Sequence, residues 1–361
     1  MTTIIFSLLL IFSTVYQCFI WLVVYPKANK ISSSQVKFPI SYPVSIVICT
    51  KDRLDLVAEH LPLVLNQQYS DFQIIIVSDG LKNYIPESIE KLLLKDSKLS
   101  IIKYNKKSSG KKEALICGIQ AAKYEWILLT DDDCRPASQF WIQNMMNCIK
   151  TIETKIVLGF APYEFQSGLL NQFIRFESVL NTLQYFSAAQ WGYPYMGVGR
   201  NLLYHKSIFD EQLMHLEHLS GDDDLLINAK ATKTNTTVCL DEKSFVFTDA
   251  KTSWPEYFNQ RIRHYSSAKF YRFQTKIYLF SLSFSLIIFY LSLLMLIFHS
   301  QYKISITCLV IHFITCSFIF SRLNKNFNSS DLKWKFPIFE ILYVFFIFIQ
   351  SPLLLFKNRN W

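Results

Sequence analysis

Carboxylates cluster at two places in this sequence. Asp131, Asp132 and Asp133 directly follow the apolar run Trp126–Leu129. Adjacent carboxylates repel one another, so a fold that holds them together at a strand end usually neutralises them with a cation. Oxygen ligands favour Mg²⁺ or Mn²⁺, which bind phosphates at the same time. The cluster therefore predicts a metal site, with a solvated acidic turn or helix cap as the alternative.

The second cluster is Ser220-Gly-Asp-Asp-Asp-Leu-Leu226. One of its carboxylates can act as a general base that accepts the proton of a reacting hydroxyl. Like-charged neighbours raise the proton affinity of the central acid, whereas a helix that begins here would lower it. The alternative is an acidic helix cap without a catalytic role.

The elements that must position the first cluster alternate between strand and helix. Short apolar runs predict strands, and each ends in polar residues or is followed by a helical stretch. The predicted strands are Val44–Cys49, Phe72–Val77, Leu99–Tyr104 and Trp126–Leu129, and the predicted helices are Leu54–Asn66, Glu87–Leu94 and Lys112–Lys123. This alternation predicts an α/β fold with a doubly wound parallel sheet, in which ligands bind beyond the carboxyl ends of the strands.

From about Val44 to Tyr271 the chain resembles family 2 glycosyltransferases with the GT-A fold, which implies a doubly wound, Rossmann-like mixed sheet. The run Asp131-Asp-Asp-Cys-Arg-Pro136 is similar to the family's D-x-D-x-x-P pattern. The resemblance implies that Asp133 is the principal metal ligand. It also implies that Asp131 contacts the nucleoside or sugar of a nucleotide-sugar donor and takes part in metal binding.

Three further segments match the family's donor-side motifs in order. Val77-Ser-Asp-Gly80 is similar to its V-D-D-G turn and implies that Asp79 lies near the base or ribose. Gly110-Lys-Lys-Glu-Ala-Leu115 resembles its G-K-x-x-A-L segment, which implies that Lys111 is near the donor. Thr50 and Asp52 occupy the family's first-strand nucleotide contact. Ser78 replaces the first acid of the V-D-D-G turn.

The acceptor side shows two more similarities. Gly197-Val-Gly-Arg-Asn201 resembles the family's acceptor-side glycine turn, so Gly197, Gly199 and Asn201 are expected to face the acceptor. The second acidic cluster is similar to the G-E-D-x-x-L motif, with Asp222 in the Glu place and Asp223 in the Asp place. The resemblance implies inverting transfer with Asp223 as the general base. For the glycines, the alternative is a simple flexible loop.

Asn259-Gln-Arg-Ile-Arg-His264 resembles the Q-x-x-R-W motif of membrane-integrated members such as the chitin, cellulose and hyaluronan synthases and ceramide glucosyltransferase. Gln260 and Arg263 fit the motif, and His264 stands in place of the Trp. Arg263 is then expected to stabilise the leaving nucleoside diphosphate. Contact between these arginines and lipid headgroups is the alternative.

Hydrophobic residues make up 51% of the 361 residues and aromatic residues 16%, which is more than soluble proteins carry. Apolar stretches near the ~20 residues that span a bilayer account for the excess. They are Thr3–Tyr25, Ile277–Phe298, Ile304–Phe320 and Phe336–Phe356. The first segment is predicted to be a retained anchor rather than a cleaved signal peptide, because no basic n-region or small-x-small site flanks it.

Lysine and arginine near the ends of these stretches predict the orientation of the chain. Basic residues follow the first stretch, precede the second and fill the loop Arg322–Lys335, whereas the opposite side holds only Lys303, Lys357 and Arg359. The globular region is therefore expected in the cytosol, attached to the cell (inner) membrane. The net charge of +9 indicates attraction to membrane lipids. Nucleic-acid binding is not predicted, because the basic residues do not cluster on one face.

Eight cysteines without CxxC spacing predict reduced thiols and no zinc site. The predicted organisation is an anchor over 1–26, a GT-A domain over 40–250, an amphipathic interface over 251–276 and membrane helices over 277–357. The expected activity is hexosyl transfer from a nucleotide sugar to a lipid-linked or glycan acceptor, with Mg²⁺ or Mn²⁺ as cofactor. The alternatives are a processive polysaccharide synthase and a non-catalytic membrane transporter or sensor with a degenerate sugar-binding domain.

Overall fold

A computed structural model describes residues 1–29, 42–79, 84–104, 111–214 and 220–356, with side chains up to Gln350. Most of the predicted linker before the first strand, together with Gly80 and Gly110 of the donor-side motifs, lies outside these ranges. The elements are α1 (Thr2–Phe19), β1 (Val44–Thr50), α2 (Leu54–Leu65), β2 (Phe72–Asp79), α3 (Glu87–Lys95), β3 (Leu99–Tyr104), α4 (Lys112–Ala121), β4 (Trp126–Asp131), β5 (Cys134–Pro136), α5 (Trp141–Met146), β6 (Ile156–Gly159), α6 (Leu169–Gln190), β7 (Leu202–His205), α7 (Asp224–Lys230), β8 (Thr236–Cys239), β9 (Val246–Thr248), α8 (Trp254–Tyr265), α9 (Phe273–Phe298), α10 (Tyr302–Leu323) and α11 (Phe336–Phe356).

The main sheet of the described chain has seven strands in the order β3-β2-β1-β4-β7-β6-β8. β3, β2, β1 and β4 are parallel, β7 is antiparallel to both of its neighbours, and β8 is parallel to β6. A second, two-stranded sheet pairs β5 with β9. The predicted mixed α/β sheet is confirmed. β1 and β4 are buried on both faces, which explains why their sequences are almost continuously apolar.

The two faces of the sheet carry separate apolar cores. One core lies between the sheet and the helices α2 and α5, and Trp141 at its centre is fully buried. The other core continues from the sheet through α4 and α6 to the membrane helices, where it includes Trp21 and Phe320. α6 is buried on nearly all sides because it lies between the sheet and these helices. The sheet domain and the apolar helices therefore share one packed interior.

Three helices are long and apolar enough to cross a membrane within the described part of the chain. They are Thr2–Asn29, in which a π-helical and a 3₁₀ turn extend α1, then Phe273–Phe298, and Tyr302–Phe327. These helices confirm the first three predicted apolar segments. The third helix, Tyr302–Phe327, is longer than the predicted stretch Ile304–Phe320.

The fourth predicted span corresponds to α11. Its apolar part with described side chains, Phe336–Gln350, is shorter than the other three. Phe346 packs on Phe173 of α6 and Tyr257 of α8, at ring-centroid distances of 5.4 and 5.6 Å. Phe346 lies about 15 Å along the helix axis from Phe336, so α11 still contacts the sheet domain at that distance from its start. A fourth span therefore remains a prediction.

Candidate active site

The carboxyl ends of three parallel strands bring the first group of polar residues together. In the strand register, Thr50 of β1 lies opposite Ser78 of β2, and Cys49 lies opposite Asp131 of β4. Asp79 ends β2 and is 4% exposed. Because these strands are parallel neighbours, their last residues share one edge of the sheet. Thr50, Asp79 and Asp131 thus lie where the sequence predicted a donor site.

Lys111 joins the two acidic clusters. It immediately precedes α4, and its Nζ lies 2.9 Å from Asp131 Oδ1 and 3.0 Å from Asp222 Oδ2. Burial lowers the pKa of Lys111, but the negative charges of Asp131 and Asp222 raise it by more. The pKa of Lys111 is therefore well above its ordinary value. Lys111 is therefore charged, and it holds together acids from distant parts of the chain.

The acids of the first cluster have different partners. Asp132 is buried and accepts a hydrogen bond from Thr50 Oγ1 at 2.7 Å. It also forms an ion pair with Arg53. Thr50 was predicted as a nucleotide contact, yet its hydroxyl bonds to the acidic turn. Asp52, between Thr50 and Arg53, adopts a left-handed backbone with φ of 54°. The loop after β1 therefore fixes the shape of the acidic turn.

Asp133 faces the site with a weaker partner. Its Oδ1 is 3.6 Å from the Cys134 thiol, and it forms no ion pair among the described residues. No group of three or more metal-binding side chains occurs in the described ranges. Mg²⁺ is commonly held by one or two carboxylates together with substrate phosphates. Asp131 and Asp133 therefore fit a Mg²⁺ or Mn²⁺ ion that is bound jointly with a donor diphosphate.

Asp223 lies against the backbone of Gly199. A Cβ atom at position 199 would be 1.9 Å from Asp223 Oδ2, so only glycine leaves room for this carboxylate. Asp223 Oδ1 is buried and accepts no hydrogen bond from the described residues. Burial, followed by the charges of Asp222 and Asp131, raises the pKa of Asp223 well above its usual range, and Lys111 only partly opposes this. The Oδ1 atom, which has no partner among the described residues, is available to accept the proton of a bound hydroxyl, as a general base must.

α7, which begins directly after Asp223, is anchored to the start of the second membrane helix. Asp224 accepts hydrogen bonds from Ser267 Oγ at 2.8 Å and from the Tyr271 hydroxyl. One turn later, Asn228 Nδ2 donates to Tyr195 O at 3.0 Å and to Thr275 Oγ1 at 3.1 Å. These bonds fix the candidate base relative to the membrane helices.

Two residues of the predicted acceptor-side turn lie in the core. Asn201 is fully buried, accepts from Trp141 Nε1 at 3.0 Å, and donates to the carbonyls of Phe160 and Ser244 at 2.8 Å each. Gly197 packs against three core side chains, those of Leu202, Ile227 and Leu158. Asn201 and Gly197, which were expected to face an acceptor, thus have internal partners in this structure, and their role towards an acceptor remains a prediction. Gly199 remains at the site through Asp223.

The predicted Q-x-x-R-H motif lies on α8. Arg263 is exposed, and the Gln260 Oε1 atom is buried without a hydrogen-bond donor among the described residues. Burial, then the positive charges of Arg261 and Arg263, lowers the pKa of His264 well below its ordinary value. His264 is therefore neutral at physiological pH. The backbone carbonyl of His264 accepts a hydrogen bond from Ser267 Oγ, which also donates to Asp224 of the second acidic cluster, so His264 lies near that cluster.

Arg261 was not predicted, yet it anchors α8. Its guanidinium pairs with Glu177 of α6 at 2.7 Å and donates to the Tyr265 hydroxyl at 2.8 Å. Tyr265 in turn donates to Glu177 at 2.8 Å, and Glu177 is 1% exposed. This closed network is structural, because each member has its partner within the protein.

Two other cations of the site escaped sequence reasoning. Arg53 follows the first strand, and Arg200 stacks on Tyr163 at 4.6 Å and lies close to Asp131 and Asp133. Arg200 stood inside the glycine turn that the sequence singled out. The excess of acidic residues nearby was the signal that such counter-charges were needed.

The mixed sheet and the acidic clusters at its carboxyl edge define a GT-A-type glycosyltransferase. Residues 45–213 match the model of glycosyl transferase family 2, and the chain is an enzyme of the glycosyltransferase class. No curated protein matches the sequence significantly.

Solved structures are similar in fold. The mannosyltransferase PcManGT from Pyrobaculum calidifontis, in complex with GDP-Man and Mn²⁺, aligns over 98% of this chain and 100% of its own, with a TM-score of 0.62 and 11% identity. TarS from S. aureus aligns over 61% of this chain and 38% of its own, with a TM-score of 0.42 and 16% identity. The alignment with PcManGT therefore includes the apolar helices as well as the sheet domain.

Proposed function

We propose that the protein transfers a hexose with inversion from a nucleotide sugar, with UDP as the nucleotide, to a lipid-linked or glycan acceptor at the cytosolic membrane face. The observation that carries this proposal is the position of Lys111 between Asp131 and Asp222. This contact unites the motif expected to bind the donor with the motif expected to activate the acceptor. A transferase needs both groups within one site.

The carboxylates of the site have distinct proposed roles. Asp131 and Asp133 hold the metal together with the donor diphosphate. A bound Mg²⁺ or Mn²⁺ would supply positive charge that stabilises the leaving nucleoside diphosphate. Asp223 accepts the proton of the acceptor hydroxyl as the oxygen attacks the anomeric carbon, and Asp222 orients Lys111 beside it.

The donor-binding residues complete the proposal. Asp79 and the loop of Thr50 and Asp52 line the nucleoside side, since they end adjacent strands. Arg263 is exposed on α8, so its guanidinium is free to move towards the diphosphate after the donor binds. His264 replaces an aromatic side chain and stays neutral beside the reacting groups.

For the orientation and the domain limits, the proposal keeps the predictions made from the sequence. The loop Asn324–Lys335 carries basic residues and packs on the catalytic domain, where Arg175 of α6 forms two bonds with Asp331 at 2.7 and 2.8 Å. This contact supports a cytosolic domain, because basic loops collect on the cytosolic side of a membrane and this loop packs on the domain that carries the active site. We keep 1–26 as the anchor, 40–250 as the GT-A domain, 251–276 as the interface region and 277–357 as membrane helices.

A panel of donors tests the proposal. Purified protein in detergent is incubated with UDP-glucose, UDP-galactose, UDP-N-acetylglucosamine and GDP-mannose, and the release of nucleoside diphosphate is measured with Mn²⁺ or Mg²⁺. We expect release from one donor class that needs the metal and is lost in Asp223→Asn. Asp222→Asn is the matched control and should keep more activity. If Asp222→Asn is inactive while Asp223→Asn is normal, the base has been assigned to the wrong residue.

A further inference from the structure

Arg200 is half-buried, yet its guanidinium forms no ion pair or hydrogen bond with any residue that the structure describes. The other arginines of the described ranges either pair with a carboxylate, as Arg53, Arg135, Arg175 and Arg261 do, or are exposed to water, as Arg263, Arg272 and Arg322 are. A cation that is partly withdrawn from water without a counter-charge costs free energy. A ligand that brings a negative charge would offset this cost.

The guanidinium of Arg200 is held by an aromatic ring rather than by an acid. It stacks on Tyr163, whose ring centroid lies 4.6 Å away. The N–H groups of a guanidinium lie in its plane, so stacking covers one face and leaves the donors uncovered. These donors form a planar fork that matches two oxygens of a phosphate. Arg200 therefore presents an oriented phosphate-binding group.

Tyr163 lies on the same small sheet that follows the first acidic cluster. It is paired with Thr248 of β9, and Thr248 is paired with Cys134 of β5. Side chains of paired residues lie on one face of a sheet, and two strand spacings amount to roughly 10 Å. On that face the Cys134 thiol lies 3.6 Å from Asp133 Oδ1. The ring of Tyr163 therefore holds the guanidinium on the face that Asp133 shares.

The backbone of Arg200 is fixed next to the candidate base. Gly199, which precedes it, leaves room for Asp223, whose Oδ2 would lie 1.9 Å from a Cβ atom at position 199. Asn201, which follows it, is fully buried and anchors the turn through its side-chain hydrogen bonds in the core. The chain thus places Arg200 between the candidate base and Asp133, one of the two carboxylates that fit a metal ion.

We propose that Arg200 binds the β-phosphate of the donor and stabilises it as the leaving group. The β-phosphate is bonded to the transferred sugar, so it is the phosphate nearest to both the base and the metal-binding carboxylates. When the bond from the anomeric carbon to the β-phosphate oxygen breaks, its electron pair stays on that oxygen. The acceptor oxygen bonds to the anomeric carbon, and its proton passes to Asp223.

The guanidinium of Arg200 donates hydrogen bonds to the phosphate oxygens, and these bonds strengthen as negative charge grows on the leaving group. Arg200 thereby adds a fixed cation to the site, whereas Arg263 is exposed on α8. The inference rests on the proposed function for the identity of the donor. The phosphate contact itself can be measured without catalysis.

Calorimetric binding of UDP and of UMP to the full-length protein in detergent with Mn²⁺ tests the inference. The two nucleotides differ only in the β-phosphate. We expect Arg200→Gln to weaken UDP binding by about 10- to 100-fold, which is the usual contribution of hydrogen bonds to a charged group. UMP binding should not change, which also shows that the variant is folded. Arg200→Lys keeps the charge without the planar fork and should retain part of the preference for UDP.

Arg135→Gln is the matched control, because it makes the same change at a half-buried arginine that pairs with Asp249 and Glu164. It should keep the wild-type ratio of UDP to UMP affinity. Tyr163→Phe retains the stacking ring and should also keep this ratio. Tyr163→Leu removes the ring and should lose part of the preference for UDP.

Three results would refute the phosphate contact. They are a wild type that binds UDP no more tightly than UMP, unchanged UDP binding in Arg200→Gln, and an equal loss of UDP and UMP in Arg200→Gln protein that melts as the wild type does. An equal loss would mean that Arg200 acts on the nucleoside. If the preference for UDP depends on Arg200 but no sugar is transferred from any donor, the proposed function is wrong and the phosphate contact stands.

Discussion

Gly199→Ala probes the position of the candidate base without altering its chemistry. A Cβ atom at position 199 would lie 1.9 Å from Asp223 Oδ2 and 2.3 Å from Cγ, whereas ordinary contact begins at 3.4 Å. The carboxylate must then retreat by 3.4 − 1.9 = 1.5 Å, or the turn must shift by a similar distance. Either change moves the proton acceptor away from the attacking hydroxyl.

The expected loss follows from this displacement. A misplacement of about 1 Å in a reacting group costs on the order of 10²-fold in rate. We therefore expect kcat to fall by about 10²-fold, which corresponds to about 2.7 kcal/mol of transition-state stabilisation. The affinity for the nucleoside diphosphate should change little, because Asp131, Asp133 and Lys111 are not displaced.

The assay compares kcat for sugar transfer with calorimetric binding of the nucleoside diphosphate in Mn²⁺. Gly197→Ala is the matched control, since its Cβ atom would meet only apolar side-chain atoms of Leu202, Ile227 and Leu158 at 3.0–3.2 Å and does not approach Asp223. It should lower thermal stability slightly and leave kcat near that of the wild type. In an Asp223→Asn background, Gly199→Ala should cause no further loss, because both changes act through one carboxylate.

Two results would refute this reasoning. Normal turnover in Gly199→Ala would show that the position of Asp223 does not limit the reaction. A further large loss from Gly199→Ala in the Asp223→Asn background would show that the glycine acts on another group, such as the acceptor itself.

The remaining predictions concern the metal, pH, α8 and orientation. EDTA should abolish turnover, Mn²⁺ or Mg²⁺ should restore it, and Asp133→Ala should prevent the recovery; full activity in EDTA would contradict a metal site. The raised pKa of Asp223 favours its protonated form in the fold, so its ionisation destabilises the protein as pH rises above the ordinary aspartate value of about 3.9. Asp223→Asn should therefore raise the melting temperature at neutral pH, and this gain should vanish in acid; an unchanged melting temperature at neutral pH would contradict the shift. Arg263→Ala should weaken both diphosphate binding and turnover, whereas a change in turnover alone would exclude a direct contact. In a background without native cysteines, a cysteine at Lys325 should resist membrane-impermeant thiol reagents in intact cells and one beyond Arg359 should react; the reverse would place the catalytic domain outside.

The sequence by itself determined the local elements and the class of the enzyme. Short runs of β-branched apolar residues such as Val44–Cys49 favour buried strands, and the acidic residues after Trp126–Leu129 were expected at a strand end. The long apolar stretches likewise required helices, because backbone groups in lipid must pair within their own segment. These features depend on near neighbours in the chain, so periodicity and motif order revealed them.

Only the tertiary structure decided which side chains meet. Asp222 is far from Asp131 in sequence, and Lys111 bonds to both because the parallel strands and α7 converge at one edge. Asn201 looked like an acceptor contact, yet its amide completes hydrogen bonds in the core. Glu340 appeared as a single acid in an apolar stretch until folding placed it against His312. Such pairings depend on contacts between distant segments, which the pattern of any one segment does not contain.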